Sequence, residues 1–92
     1  MLNINNTIAR NDSIVDAQID GEIVMMDINN GEYYGLDVIA ARIWELMASP
    51  KIVSEICEIL QQEYKVSEEK CQKDVLGFID KMIAKGVITI AE

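Results

Sequence analysis

The sequence predicts an α+β fold in which a three-stranded antiparallel sheet is followed by three helices. Three observations predict it. Apolar and polar residues alternate with a period of two between Ile14 and Leu36, two tight-turn dipeptides interrupt that alternation, and three segments with helical periodicity follow. Because strands and helices come in separate blocks, the class is α+β and the strands pair as hairpins.

The length of the chain suits one small domain. Ninety-two residues, half of them apolar, are enough to build a single core and too few for two. We therefore expect residues 1–92 to form one domain. Residues 1–13 are polar and rich in Asn, so we expect a flexible lead-in that adds at most a short strand near residues 7–10.

The three strands are predicted at Ile14 to Ile19, Glu22 to Asp27 and Glu32 to Leu36. Asp20-Gly21 and Asn30-Gly31 join them, because the favoured hairpin turns need φ > 0 at both central positions. Consecutive hairpins leave the first and third strands at the edges of the sheet.

The first two helices follow directly from the third strand. Asp37 is the predicted N-cap of the first helix, and Pro50 ends it because the residue before proline disfavours helical geometry. Trp44 is expected to anchor the core. The second helix is predicted from Ile52 or Val53 to Tyr64.

The third helix is predicted to begin after the N-cap Ser67 and to end at Gly86, with residues 87–90 as a last strand or a packed tail. Its apolar residues cover a sector of about 160°, which is more than one core face needs. Either the helix packs on both the sheet and the other helices, or one margin of the sector forms the wall of a groove. The sector contains Cys71, Val75, Leu76, Phe78, Ile79, Met82 and Ile83.

Both margins of this sector carry charged residues, so the sequence does not choose between them. Asp74, Lys81 and Lys85 flank Phe78 on one side, whereas Lys73 and Asp80 lie beyond Leu76 on the other. Either margin would place charges beside an apolar slot.

Composition argues against catalysis and against nucleic acid as a partner. Sixteen acidic and eight basic residues give a net charge of −8, which repels phosphates and favours a basic partner. The chain has no histidine, the commonest general acid/base and metal ligand. The glycines form no phosphate-binding loop. We therefore expect no catalytic residues, no metal and no cofactor.

The cysteines and the lengths of the apolar runs predict the cellular compartment of the protein. Cys57 and Cys71 lie within helical patterns and lack the close spacing of a metal site, so they are expected to be buried free thiols in a reducing compartment. No apolar run approaches the roughly 18 residues of a membrane span, and residues 1–10 do not look like a signal peptide. A cytoplasmic protein without a membrane partner is expected.

The third strand is the candidate binding element. Tyr33 and Tyr34 point to opposite faces of the sheet, and the outer edge offers N–H and C=O groups with which an extended peptide can pair. The alternative is a short edge, blunted by Glu32 and Gly35, that has no binding role.

Several segments together resemble the PqqD-like family of small peptide chaperones, also called RiPP recognition elements. They are NGEYYGLD and AARIWELM between Asp27 and Met47, ICEILQQEY from Ile56 to Tyr64, the VSEE step from Val66, Asp74-Val75, and KGVI from Lys85. The likeness runs from about Ile14 to Ile88. The chain departs from the family at Asp37, where asparagine is frequent, but both residues cap helices.

The resemblance implies a winged-helix-like domain without catalytic residues. It implies binding of the N-terminal leader of a ribosomally made precursor peptide, as a strand added to the third strand and packed against the third helix. A freestanding chain of this size looks most like the leader-binding protein of lasso-peptide biosynthesis, which presents the precursor to a leader peptidase and a cyclase. The implied leader-binding residues are Glu32, Tyr33, Tyr34, Gly35, Cys71, Asp74, Val75, Phe78 and Met82.

The acidic composition predicts a leader that carries lysines or arginines, with Asp74 and Glu32 as the acids that meet them. Two alternatives remain open at this point. Three helices and a hairpin wing can also form a winged-helix nucleic-acid-binding regulator, which the acidic charge disfavours. The sheet edge can also pair with a second copy of the chain.

Overall fold

The computed structural model describes residues 2–91, over which six strands and three helices follow one another. In chain order they are β1 (Thr7–Arg10), β2 (Ile14–Ile19), β3 (Glu22–Asp27), β4 (Glu32–Gly35), α1 (Val38–Leu46), β5 (Lys51–Ile52), α2 (Val53–Glu63), α3 (Glu68–Ala84) and β6 (Ile88–Ile90). The predicted α+β class, with a three-stranded antiparallel sheet preceding three helices, is confirmed.

Strands β2, β3 and β4 form the predicted meander, with β3 in the middle. Its first turn has positive φ at Asp20 and Gly21, as the Asp-Gly dipeptide predicts. At the second turn the buried Asp27 carboxylate accepts hydrogen bonds from the backbone N–H and the side-chain amide of Asn30, at 3.2 and 2.7 Å. Gly31 there has φ 68°, but Asn30 does not have positive φ, so the expected two-residue Asn-Gly turn is wrong. Four residues, 28–31, join Asp27 to Glu32 instead. The turn chemistry therefore fixes the register of both hairpins.

A second three-stranded sheet, in the order β5-β1-β6, closes the other side of the fold. Its middle strand confirms the short strand expected near residues 7–10, and β6 confirms the strand alternative for residues 87–90. The sequence did not reveal β5, whose two residues are too few to show a period. Because the C-terminal strand pairs with β1, it does not occupy the edge of β4.

The helix boundaries follow the predicted caps. The Asp37 carboxylate accepts from the N–H of Ala40 at 2.8 Å, and the Ser67 hydroxyl accepts from the N–H of Lys70 at 3.2 Å. Gly86, with φ 77°, follows the end of α3. The side chain of Asp37 therefore fixes where the chain turns from β4 into α1, so the strand and the helix are held in a set relation.

Trp44 is fully buried, as predicted, and links three elements. Its indole Nε1 donates to Asp16 Oδ2 on β2 at 2.6 Å. The Arg10 guanidinium of β1 lies 4.2 Å from the centre of the indole ring and 3.2 Å from the same carboxylate. Since Asp16 and Arg10 come from different sheets, this network holds both sheets against α1.

Cys57 and Cys71 are buried free thiols, as predicted, with the Cys71 Sγ 3.7 Å from the Cys57 carbonyl oxygen. Burial is the main cause that raises the pKa of Cys57 to about 11, and burial also raises the pKa of Cys71. Because the thiolate is the reactive form, we expect both buried thiols to react slowly at neutral pH.

We expect iodoacetamide at pH 7.5 to leave Cys57 and Cys71 unmodified in the folded protein and to alkylate both in guanidinium, as read by intact mass. Rapid labelling of either thiol in the folded protein would contradict the packing of α2 against α3.

Candidate functional site

Strand β4 has an open edge. It pairs with β3 on one side and, within residues 2–91, with no strand on the other. The N–H of Leu36 donates to the Ile23 carbonyl at 3.0 Å, which makes this facing pair a hydrogen-bonded one. Hydrogen-bonded pairs alternate with non-hydrogen-bonded pairs along an antiparallel ladder. The register therefore directs the N–H and C=O groups of Tyr33 and Gly35 outward.

A cavity of about 410 Å³ separates this edge from α3. Tyr33, Tyr34 and Gly35 line its strand side, and Phe78 and Met82 line its helix side. Its helix side also carries Lys81 and Lys85. An exposed row of strand hydrogen-bonding groups thus lies directly beside a helical surface that presents two apolar side chains and two lysines.

The cavity continues along α3 as two further depressions. The next, of about 320 Å³, lies between α1 and α3 and is lined by Ile39, Asp74, Val75 and Phe78 among others. The last, of about 210 Å³, reaches Tyr64 at the end of α2 and includes Cys71, Asp74 and Val75. Phe78 belongs to the first two cavities, and Asp74 and Val75 belong to the last two. We call this continuous surface from Tyr33 to Tyr64 the α3 trough.

The structure brings together eight of the nine residues expected to bind a leader. Tyr33, Tyr34, Gly35, Phe78 and Met82 line the first cavity, and Cys71, Asp74 and Val75 line the others. Cys71, Val75 and Met82 are buried and form the floor, whereas Phe78 is half-buried. Glu32 lines none of these cavities.

The α3 trough runs along the Phe78 margin of α3. A separate depression at the opposite margin, lined by Leu2, Leu76, Gly77 and Asp80, does not reach the β4 edge. Sequence reasoning missed the α1 wall, which includes Ile39. The available signal was Ile39 itself, a large apolar residue in the first turn of α1, and its side chain is exposed.

The charges of the α3 trough differ between its two ends. Lys81 and Lys85 line the β4 end, and Lys85 Nζ lies 5.1 Å from the centre of the Tyr34 ring. Farther along, Asp74 pairs with Lys70 at 3.1 Å, with both side chains largely exposed. Among residues 2–91, neither Lys81 nor Lys85 lies within ion-pair distance of a carboxylate.

Tyr34 carries a neutral hydroxyl at the β4 end of the trough. Desolvation and the neighbouring Glu32 raise the pKa of Tyr34, and its hydroxyl donates to Glu32 at 3.1 Å. Glu32 is thus engaged by Tyr34 rather than directed into the trough.

Within residues 2–91, no three His, Cys, Asp or Glu side chains lie close enough to hold a metal ion. No helix in the same range has the length and apolar character needed to cross a membrane. The arrangement is suited to holding an extended chain by its backbone and by apolar side chains.

Comparisons with known proteins agree with this geometry. Residues 22–88 match the family described as coenzyme PQQ synthesis protein D (PqqD), a span that begins at β3 and contains the whole α3 trough. No protein among the curated sequences gives a significant match.

Two solved structures have the same fold. TbiB1 in complex with the TbiA(beta) leader peptide is 31% identical, with a TM-score of 0.82 over 87% of this chain and 93% of that chain. A lasso peptide synthetase B1 complexed with the leader peptide is 22% identical, with a TM-score of 0.75 over 89% of this chain and 96% of that chain. The family match and the 31% identity agree with the resemblance seen in the sequence, and the chain belongs to the PqqD family.

Proposed function

We propose that this chain is a non-catalytic adaptor of lasso-peptide biosynthesis that captures the leader of a ribosomally synthesised precursor peptide. The observation that carries the proposal is the open β4 edge directly beside the α3 trough, whose floor is apolar. The 31% identical TbiB1 structure, which holds a leader peptide, supports it. In this role the chain acts as a single recognition domain in the cytoplasm and needs neither metal nor cofactor.

The proposed binding mode is strand addition. The leader pairs with the outward N–H and C=O groups of Tyr33 and Gly35, so it becomes a fourth strand beside β4. Its side chains alternate, and those on the inner side enter the α3 trough, where an apolar or aromatic residue fills the space beside Phe78. A disordered leader loses conformational entropy when it docks, which the apolar contacts must offset.

The charges of the chain and of the α3 trough predict which charged residues the leader carries. The net charge of −8 favours a basic leader, with Asp74 as the acid that lines the trough. Lys81 and Lys85 favour a carboxylate in the leader at the β4 end of the trough. We therefore expect a leader that is basic overall and carries an acidic residue where it passes α3 near Lys81.

The held leader is then presented to other proteins of the pathway, a leader peptidase and a cyclase. An adaptor of this kind raises the local concentration of the precursor near these enzymes without performing chemistry itself.

The alternative of a nucleic-acid-binding regulator has no structural observation in its favour. The β3–β4 hairpin that would serve as the wing carries Glu22, Asp27 and Glu32 and neither lysine nor arginine. Such a wing repels the phosphate backbone.

An NMR titration tests the proposal. The probe is the synthetic leader of the precursor encoded beside this chain, added to the ¹⁵N-labelled protein, with a scrambled leader as the control. We expect shift changes at residues 33–35 and 74–82 and slower amide exchange at Tyr33 and Gly35, because these N–H groups gain acceptors. Shift changes confined to other surfaces, or none at all, would contradict it.

A further inference from the structure

The meander has a second face, which shares only Tyr33 with the proposed leader site. Residues that face each other across an antiparallel sheet share a side, so Val15, Met26 and Tyr33 form one row on the outer surface. Ala17 and Val24 form the next row, and Ile19 follows on β2. We call these six residues the outer sheet face. The opposite side of the sheet contains the buried Met25 and Asp27.

The outer sheet face is apolar and open. Val15, Ile19 and Tyr33 are 42%, 55% and 73% exposed. None of the six residues belongs to the core or to the partly buried apolar residues packed against it. Single exposed apolar side chains need no explanation, but contiguous apolar patches on small proteins usually mark an interaction site.

The charge around this face is of one sign. Strands β2 to β4 and their turns contain five acidic residues and no lysine or arginine. Of the eight basic residues in the chain, Arg10 precedes this segment and the other seven follow it, from Arg42 onward. The segment from Ile14 to Gly35 therefore contributes −5 to the net charge of −8.

Asp20 and Glu22 are exposed at the turn beside Ile19, and Glu22 faces Ile19 across the β2–β3 pair, so both lie on the same side. The other three carboxylates lie on the opposite side of the sheet, where Asp16 pairs with Arg10 and Glu32 accepts from Tyr34. Asp20 and Glu22 are therefore the acids at the rim of the outer sheet face.

These charges identify the kind of occupant. A second copy of the chain, placed face to face, would bring two acidic sheets together, and nucleic acid or an anionic membrane would be repelled in the same way. A protein with an apolar centre and a rim of lysines and arginines complements both features. We propose that the outer sheet face docks such a basic-rimmed protein partner.

The position of the face indicates what this partner does, a step that rests on the proposed function. A leader bound beside β4 extends the sheet, and its outward side chains lie next to Tyr33 on the same surface. A protein docked on the outer sheet face therefore contacts the leader as well. We therefore identify this partner as the leader peptidase, the enzyme that acts on the leader.

The test uses the purified leader peptidase encoded with this chain as the probe, with the full chain loaded with synthetic leader. The Val15→Thr/Ile19→Thr variant keeps two β-branched residues on β2, a strand that β3 separates from the leader edge. We expect its affinity for the peptidase to fall about fivefold to tenfold, because two exposed apolar contacts are lost. Its affinity for the leader should stay within about twofold.

Two further variants separate apolar docking from charge and from general surface effects. Asp20→Asn/Glu22→Gln should slow association with the peptidase at low salt, and the difference from wild type should vanish near 0.5 M NaCl, where the Debye length is below about 5 Å. Ile90→Thr is the matched control, since Ile90 is similarly exposed, at 40%, but lies on β6 in the other sheet. It should bind the peptidase like wild type.

The possible outcomes distinguish this inference from the proposed function. Unchanged peptidase affinity in the Val15→Thr/Ile19→Thr variant, or no peptidase binding by the wild type, overturns the docking face. A wild-type dimer that this variant converts to a monomer, measured by light scattering, overturns it in favour of a second copy. Loss of peptidase binding in the variant supports the docking face, whether or not the leader binds the wild type. Failure of the leader to bind the wild type contradicts only the proposed function.

Discussion

Replacing Phe78 by alanine should weaken leader binding about 30-fold, the loss expected when an aromatic anchor worth about 2 kcal/mol is removed. Phe78 lines both the cavity beside β4 and the cavity between α1 and α3. It is half-buried, so its exposed part is available to a ligand. Fluorescence anisotropy of a labelled leader gives the dissociation constants of the wild type and the variant.

Leu76→Ala is the matched control for this change. Leu76 lies on the same helix and, like Phe78, is half-buried and packed against the core, but it lines the opposite margin of α3. Both substitutions should lower the melting temperature modestly, since both remove core contacts. Only Phe78→Ala should weaken leader binding. Equal losses in the two variants would mean that the effect comes from the stability of α3 and not from the α3 trough.

The features that the sequence predicted well are those set by neighbouring residues. Asp20-Gly21 determines the first turn because of the φ angles it allows. At the second turn, Gly31 supplies the positive φ, and the Asp27 carboxylate holds Asn30 in a four-residue loop. Asp37 and Ser67 determine the helix starts because each side chain bonds to an N–H three residues ahead. The helical face of α3 likewise follows from its spacing alone.

The features that the sequence did not predict depend on contacts between distant residues. Lys51 and Ile52 are a strand only because Thr7 and Ile8 pair with them, and a two-residue strand has no period of its own. The α1 wall of the trough was missed for a similar reason. Whether an exposed Ile39 forms a wall of the trough depends on where α3 passes α1, and this cannot be derived from the local sequence. The same placement makes Val75 part of the floor and leaves Phe78 accessible.

Replacing Gly35 by proline should lower leader affinity about tenfold or more. The Gly35 N–H points away from β3, so proline removes a hydrogen-bond donor that only an added strand would use. A leader carbonyl left without its donor costs about 1–3 kcal/mol when buried. The proline ring also projects toward the added strand and hinders its approach. Isothermal titration calorimetry with the synthetic leader measures the loss.

The fold should tolerate this proline, which makes the experiment informative. Proline is accepted on edge strands where its position makes no ladder bond, and Tyr34 before it already has the extended backbone that proline favours. Gly35→Ala is the control, because a Cβ at this position meets no atom within 4 Å and the N–H is kept. If leader affinity is unchanged in Gly35→Pro, or falls equally in Gly35→Ala, the leader does not pair with β4. Binding would then have to rest on side chains of α1 and α3 alone.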